Sequence, residues 1–389
     1  MAGDGTRIAA LDHIRGLSVL GILIVNAIAF AQPLSVYIDP ALSTVLLSPA
    51  DIGTWWLIET FCRDKFVTLF SLLFGVSAFL VGGAPGDEDG ERRLKRRLMW
   101  LLLFGVLHGA LIWHGDILVL YAVAGLMFMR WRRETARRLL TLGGVFFLVG
   151  AAVIASQGFL AGPGDGPPSR ADDLRTIVTM RGDFLHSLAG NALTWGTGVF
   201  GNTVGYLPTT LGLMMLGLGL FKTGLLKGEA RPRLYLGLIA AAAASLALIG
   251  WQNEVIVAEG FPYLRMLGLY GIANTLLCLP VALGYAAILI LLARSRLGTW
   301  VLHPLACAGR MAFTNYLTQS IVMTMIFYGG RGPGLYGQMN HAALWPFVVT
   351  IWIAQLVVST LWMKWFRYGP FEWLWRSLTL GRPVAWRNP

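Results

Sequence analysis

The sequence predicts an all-α, polytopic membrane helix bundle of about ten transmembrane spans with both termini cytoplasmic. Three observations predict it: an apolar excess, a row of apolar runs of spanning length, and a one-sided distribution of basic residues. Of the 389 residues, 56% are hydrophobic and 13% charged, where soluble domains carry about 25% charged residues. Mean hydropathy is +0.63. That excess excludes a water-soluble enzyme core and a disordered chain. The 47 glycines follow no three-residue period, which excludes collagen.

A helix needs about 20 apolar residues to cross a bilayer. In chain order the candidates run over approximately 16–32, 64–83, 97–114, 116–130, 138–160, 198–221, 234–257, 264–293, 301–328 and 342–363. The first follows Arg7 and Arg15 and contains Ala29-Phe30-Ala31, which imitates a signal-peptidase site; the spans after it predict an uncleaved helix. The fourth is short, and the eighth and ninth are long enough to tilt or break. Residues 161–197 form the longest exterior loop, with Gly-Pro-Gly-Asp-Gly-Pro-Pro at 162–168 and a stretch, 170–188, that suits an interfacial helix. The whole, 1–389, reads as a single transmembrane domain whose end, 364–389, is an amphipathic cytoplasmic tail.

Net charge is +11. The N-terminus, 84–97, 130–138, 222–233, 294–310 and the tail hold 24 of the 31 Lys and Arg residues. A positive-inside bias puts these segments in the cytoplasm, so the charge reads as topology and nucleic acid is not an expected partner. Cys62, Cys278 and Cys307 offer neither a disulfide framework nor metal-ligand spacing. No metal is expected. Walker A, Rossmann, nucleophile-elbow and H-E-x-x-H motifs are absent.

Polar side chains inside spans are costly and mark sites by default, with helix–helix hydrogen bonding as the plainer role. Five clusters stand out. In Leu11-Asp12-His13-Ile14-Arg15-Gly16, Asp12 and Arg15 pair at i,i+3, and Arg15 suits a phosphate. Asn26 follows eleven residues later, about 16 Å along the axis, where its amide suits a substrate carbonyl. Glu59 and Arg63-Asp64-Lys65 form a charged entrance to the second span, readable as structure or as a substrate gate. His108 lies between Gly105 and Gly109, with Asp116 just beyond a turn at Gly115. A histidine near a carboxylate suits a general base. Six residues of helix rise put His108 about 9 Å below that turn, a distance that calls for a bridging water or His114. Asn315 and Gln319 share one face above Arg310, a stripe that suits a cavity wall. The last cluster, Phe366 to Arg376, reads first as an interfacial anchoring belt.

The Leu-Asp-x-x-Arg-Gly run ending in Asn26, the Lys65-Phe66 to Phe74-Gly75 block, and His108 with Gly115-Asp116-Ile117-Leu118 resemble the YeiB family of bacterial inner-membrane proteins. So do Gly309 to Ser320 and Gly369 to Arg376, which match that family's C-terminal domain of unknown function. The family is similar to heparan-alpha-glucosaminide N-acetyltransferase and, more distantly, to membrane acyltransferases that modify extracellular glycans. The resemblance implies transfer of an acyl group, acetyl first of all, from cytoplasmic acetyl-CoA or another acyl-CoA to an exterior small-molecule or glycan acceptor. It also allows a homodimer in the bilayer of the inner membrane. The sequence departs from the distant glycan enzymes, which carry a catalytic histidine where Asn26 stands. The heparan enzyme's histidine falls at Tyr37, and no histidine lies between His13 and His108. The base then falls to His108 or Asp116.

The resulting expectation has His108, Asn26 and Asp116 as catalytic residues, and Arg15, Arg310, Asn315, Gln319 and Lys65 as acyl-CoA-binding residues. A transporter or flippase using the same polar path is the rival class, and a structural membrane protein the third. Pro208, Pro280, Gly212 and Gly217 inside spans leave the choice open. The charge count makes a topological prediction: reporter fusions at Gly90 and Arg175 give opposite readouts, and a shared compartment overturns the layout.

Overall fold

The computed structural model describes residues 9–83, 87–161 and 166–388. Arg7, part of the basic 84–97 segment and most of the 162–168 run therefore lie outside the described residues. The helices, in order, are α1 (Ala9–Ala31), α2 (Leu34–Ile38), α3 (Pro49–Phe61), α4 (Lys65–Val81), α5 (Glu88–Leu111), α6 (Leu118–Phe128), α7 (Ala136–Phe159) and α8 (Arg170–Arg181). They continue with α9 (Phe184–Lys222), α10 (Pro232–Ala258), α11 (Tyr263–Leu267), α12 (Leu269–Leu292), α13 (Arg296–Val301), α14 (His303–Arg310), α15 (Ala312–Phe327), α16 (Trp345–Trp365) and α17 (Pro370–Leu380). The described residues form no β-strand, only a single bridge between Phe366 and Arg387. The chain is an all-α membrane protein.

Local chemistry sets many of the helix starts. Side chains of Asp87, Thr135, Ser169, Asp183 and Ser295 accept from the backbone N–H three residues on, and Ser48 with Asp51 completes a capping box. Among the described residues, seven stretches are long and apolar enough to cross a membrane: α1, α3–α4, α7, α9, α10, α11–α12 and α16 with its preceding turn. The other three expected spans fall short for physical reasons. α5 begins with ten residues rich in charge, α6 has 11 residues, and the 301–328 run breaks into pieces at Leu302 and Met311. The 264–293 run also breaks, at Gly268. α9, at 39 residues, takes in fourteen residues expected in the exterior loop. The expected interfacial stretch, 170–188, divides at Gly182 into α8 and the start of α9. α8 is docked on the bundle: Asp173 accepts from the Ser35 hydroxyl at 2.8 Å, and Ile177 and Met180 are buried.

α1 runs through the middle. Its lower half packs in a core with Leu69, Leu98, Met214 and Leu218, and its upper half in a second core with Trp113, Met323 and Phe327. It meets α14 backbone to backbone. A Cβ on Gly16 would lie 2.0 Å from the Leu305 carbonyl oxygen, and one on Gly309 would lie 1.9 Å from that of Asp12. Only glycine permits that approach.

The basic segments collect at one end. Arg132 donates to the carbonyls of Gly82 and Gly83, Lys222 to those of Arg132 and Glu134, and Arg294 to those of Gly228 and Ala230. The tail joins them. The Trp375 indole donates to the Arg97 carbonyl at 2.9 Å, and Glu372 caps α15 at Phe313 and Thr314. Its tryptophans also stack on one another, Trp373 on Trp386 with centroids 4.8 Å apart, so the belt is partly an internal aromatic cluster.

The α1–α14 crossing makes a prediction. Gly309→Val forces the backbones apart and costs about 1–3 kcal/mol or more, read as a lower melting temperature in detergent. Gly144→Ala, where no atom lies within 4 Å of the new Cβ, leaves it unchanged or raised. Equal melting of Gly309→Val and the parent contradicts this account of the crossing.

Candidate functional site

The C-terminus of α5 leaves its last carbonyls without intrahelical partners, and each finds a donor. The His108 carbonyl accepts from the N–H groups of Ile112 and Trp113, both at 2.9 Å. The Asn191 amide of α9 donates to Gly109 and Ala110 at 2.9 and 3.0 Å, while its oxygen accepts from the His114 N–H at 2.7 Å. The Arg331 guanidinium donates to Leu111 and Ile112 at 3.1 and 3.0 Å, a cation at the negative end of the helix. These bonds hold the turn that follows.

The turn folds back beside the helix it leaves. Asp116 thus returns to His108, its Oδ1 2.9 Å from Nδ1. The expected need for a bridging water or His114 is corrected: the pair is direct, because the reversal recovers the helix rise. Asp116 Oδ2 also accepts from the Val119 N–H at 2.9 Å, so one carboxylate caps α6 and holds the imidazole. Both side chains are buried, 1% and 0% exposed. Gly105 admits α6, where a Cβ would meet the Val119 nitrogen at 2.6 Å, and Gly109 seats the Trp195 indole.

A carboxylate on Nδ1 favours the proton there and leaves Nε2 with its lone pair. Nε2 is buried and has no hydrogen-bond partner among the described residues. The same holds for the hydroxyl of Tyr316, whose ring centroid lies 5.2 Å from that of His108. Trp113 stands edge-on to His108 at 6.4 Å and stacks on Phe30 of α1 at 3.9 Å. Asn26 sits one turn before Phe30. Its amide is half-buried and makes no side-chain hydrogen bond among the described residues, so the plainer helix-tying role has no partner here.

The other expected residues divide. Arg15 pairs with Asp12 at 3.1 Å and donates to Ser77 at 3.2 Å, and Arg310 donates to the Arg367 carbonyl at 3.2 Å, all at the basic end. Asn315 and Gln319 are buried and take part in hydrogen bonds between helices. Asn315 donates to the Ala308 carbonyl and to Ser359, and Gln319 donates to the Val19 carbonyl and to Gln355. Their stripe is closed by α16 because Gln355 and Ser359 supply the complementary groups. Lys65 is corrected too. It lies at the end opposite Arg15 and Arg310, fully buried, and donates to the Glu59 carbonyl at 2.7 Å and to Asn274 at 3.0 Å. With Arg63 on Glu59 at 2.7 Å and on the Tyr37 carbonyl at 2.8 Å, it forms a closed network under the left-handed Asp64.

Tyr316, Asn191 and Arg331 are the residues that sequence reasoning missed. Tyr316 stood between the two amides that drew attention. Arg331 was one of seven basic residues off the segments expected in the cytoplasm, and that exception was its signal. Asn191 had none, since its segment read as loop.

Comparison with known proteins adds the following. A family model described as a protein of unknown function (DUF418) matches residues 220–382. That stretch holds Arg310, Asn315, Tyr316 and Gln319 but not the His108–Asp116 pair. The chain is 32% identical over 396 residues to the uncharacterized protein YeiB of Escherichia coli (strain K12), covering 96% of each. It is 30% identical over 401 residues to the uncharacterized protein YxaH of Bacillus subtilis (strain 168), covering 97% of this chain and 96% of that one. It is 25% identical over 391 residues to an uncharacterized 39.9 kDa protein in the amylase 3' region of Bacillus acidopullulyticus, covering 97% and 94%.

The carbonyl caps predict a stability effect. Asn191→Ala strands the carbonyls of Gly109 and Ala110 in an apolar setting, at about 1–3 kcal/mol each. Thermal melting of the purified protein is expected to fall; an unchanged melt shows that the turn is held without Asn191.

Proposed function

The chain belongs to the YeiB family, and from the geometry around His108 we propose that it is an inner-membrane acyltransferase moving an acyl group from cytoplasmic acyl-CoA to an acceptor on the other side. One observation carries the reading: a buried imidazole held at Nδ1 by a buried carboxylate, its Nε2 unpartnered. His13 and His341 also bury a ring nitrogen without a partner among the described residues, but of the three only His108 has a carboxylate on its other nitrogen. Asn26, half-buried and without a side-chain hydrogen bond among the described residues, lies on the helix that reaches the pair through Phe30 and Trp113.

In this reading His108 Nε2 takes the proton from the acceptor hydroxyl or amine as its oxygen or nitrogen attacks the thioester carbon. Asp116 keeps the Nδ1 proton in place and stabilises the imidazolium. The Asn26 amide donates to the carbonyl oxygen as negative charge builds there, a role worth about 2.7–4 kcal/mol in soluble enzymes. The carbon–sulfur bond breaks, and the imidazolium returns its proton to the departing thiolate. Arg15 and Arg310, at the basic end, suit the phosphates of the donor.

The helix breaks at Gly268 and Met311 favour a second reading, transport, because discontinuous helices often build transporter sites. The bonds that close the Asn315–Gln319 stripe weigh against it.

The test is acceptor-dependent release of CoA from acetyl-CoA by purified protein, with a panel of sugars. His108→Gln keeps a hydrogen-bonding group but cannot serve as base. It is expected to lower turnover about 10²–10⁴-fold while leaving membrane insertion and melting intact. Near-parental turnover by the Gln variant removes His108 from catalysis. Acceptor uptake into proteoliposomes without CoA release supports transport instead.

A further inference from the structure

Arg97 lies where the charged first half of α5 meets its apolar second half, and it is half-buried. Its guanidinium lies 3.8 Å from the centre of the Trp375 ring, and the same indole donates to the Arg97 carbonyl. Side chain and backbone are thus both fixed against α17. The guanidinium makes no hydrogen bond and no ion pair among the described residues. The charges that face it are those of Arg376, Arg15 and Glu372.

Glu372 does not balance the three arginines. Its Oε1 accepts from the N–H groups of Phe313 and Thr314, and its Oε2 from the Thr314 hydroxyl. Burial pushes its carboxyl above the usual carboxylate range. Arg376 stacks over Tyr368 at 4.4 Å, and Arg15 is turned towards Asp12 and Ser77. Stacking leaves the edge donors of a guanidinium free for an oxyanion, and the planar fork matches phosphate oxygens.

We propose that Arg97, flanked by Arg15 and Arg376 on the Trp375–Tyr368 face of α17, is a phosphate-binding site at the basic end of the bundle. Its ligand is a phosphate ester, either the headgroup of an anionic lipid or the phosphate of a soluble donor such as CoA. The site shares Arg15 with the acyl-CoA reading but needs no turnover at His108.

The experiment uses full-length protein with two probes. Calorimetry in neutral detergent measures CoA and inorganic pyrophosphate, and native mass spectrometry from nanodiscs counts retained phosphatidylglycerol against phosphatidylcholine. Arg97→Gln and Arg376→Gln are compared with Arg137→Gln, an exposed arginine elsewhere at the same end. Arg97→Gln is expected to weaken the bound probe tenfold or more, Arg376→Gln several-fold, and Arg137→Gln less than twofold. Loss with CoA and pyrophosphate assigns a soluble phosphate, and loss with phosphatidylglycerol alone assigns a lipid headgroup. If Arg97→Gln does not fold, Arg97→Lys keeps the charge without the fork, and its weaker binding carries the same meaning. Equal binding by all variants, or no binding by the parent, overturns the site. Phosphate binding that persists in a protein without acyl transfer refutes the acyltransferase reading alone. His108-dependent turnover with Arg97-independent binding refutes this site alone.

Discussion

Lipid offers no hydrogen-bond partners, so every backbone carbonyl freed by a helix end must find a donor inside the protein or at the water interface. That constraint organises this molecule. Arg132 closes the end of α4, Lys222 and Arg294 close the connections beside α7 and α10, and Arg331 with Asn191 closes α5. Basic residues at the ends of spans thus serve twice. They bias topology through their charge, and they stitch the loops through their donors. At α5 the stitching has a further consequence, because the turn it fixes is the one that returns Asp116 to His108.

The helices that fall short of an ordinary lipid-facing span carry the candidate site. α5 bears His108, α6 is capped by Asp116, and α15 bears Tyr316, Asn315 and Gln319. Longer apolar helices supply most of the membrane-spanning length. A short or polar helix is tolerable only when protein rather than hydrocarbon surrounds its polar groups. Burial of a carboxylate and an imidazole side by side is acceptable on the same terms: each is the other's partner, and the rings of Trp113 and Tyr316 pack beside them.

The polar residues that looked alike in sequence have different fates. Asn26 and Asn315 are both amides in apolar helices. Asn315 is tied to Ala308 and Ser359, whereas the Asn26 side chain has no hydrogen bond among the described residues. Lys65, at the start of α4, and Arg97, within α5, are both cations beside an apolar run. Lys65 is spent on a carbonyl and an amide, whereas Arg97 is held by a ring and faces like charge. Sequence spacing records what lies on the same helix face. It does not record which group on another helix answers.

The sequence by itself determined the membrane class, most of the helices, the grouping of basic segments and the neighbourhood of His108 and Asp116. These follow from local quantities: apolar length, charge and turn residues. The tertiary structure decided the rest. The directness of the His108–Asp116 bond depended on a chain reversal braced by α9 and by the loop carrying Arg331. The closure of the Asn315–Gln319 stripe depended on α16. The placement of Lys65 away from Arg15, and of Arg97 against Trp375, depended on which helix ends share a side of the bundle. Each rests on contacts between residues tens to hundreds of positions apart, such as Asn191 with Gly109 or Trp375 with Arg97, and periodicity along one helix carries no information about such contacts.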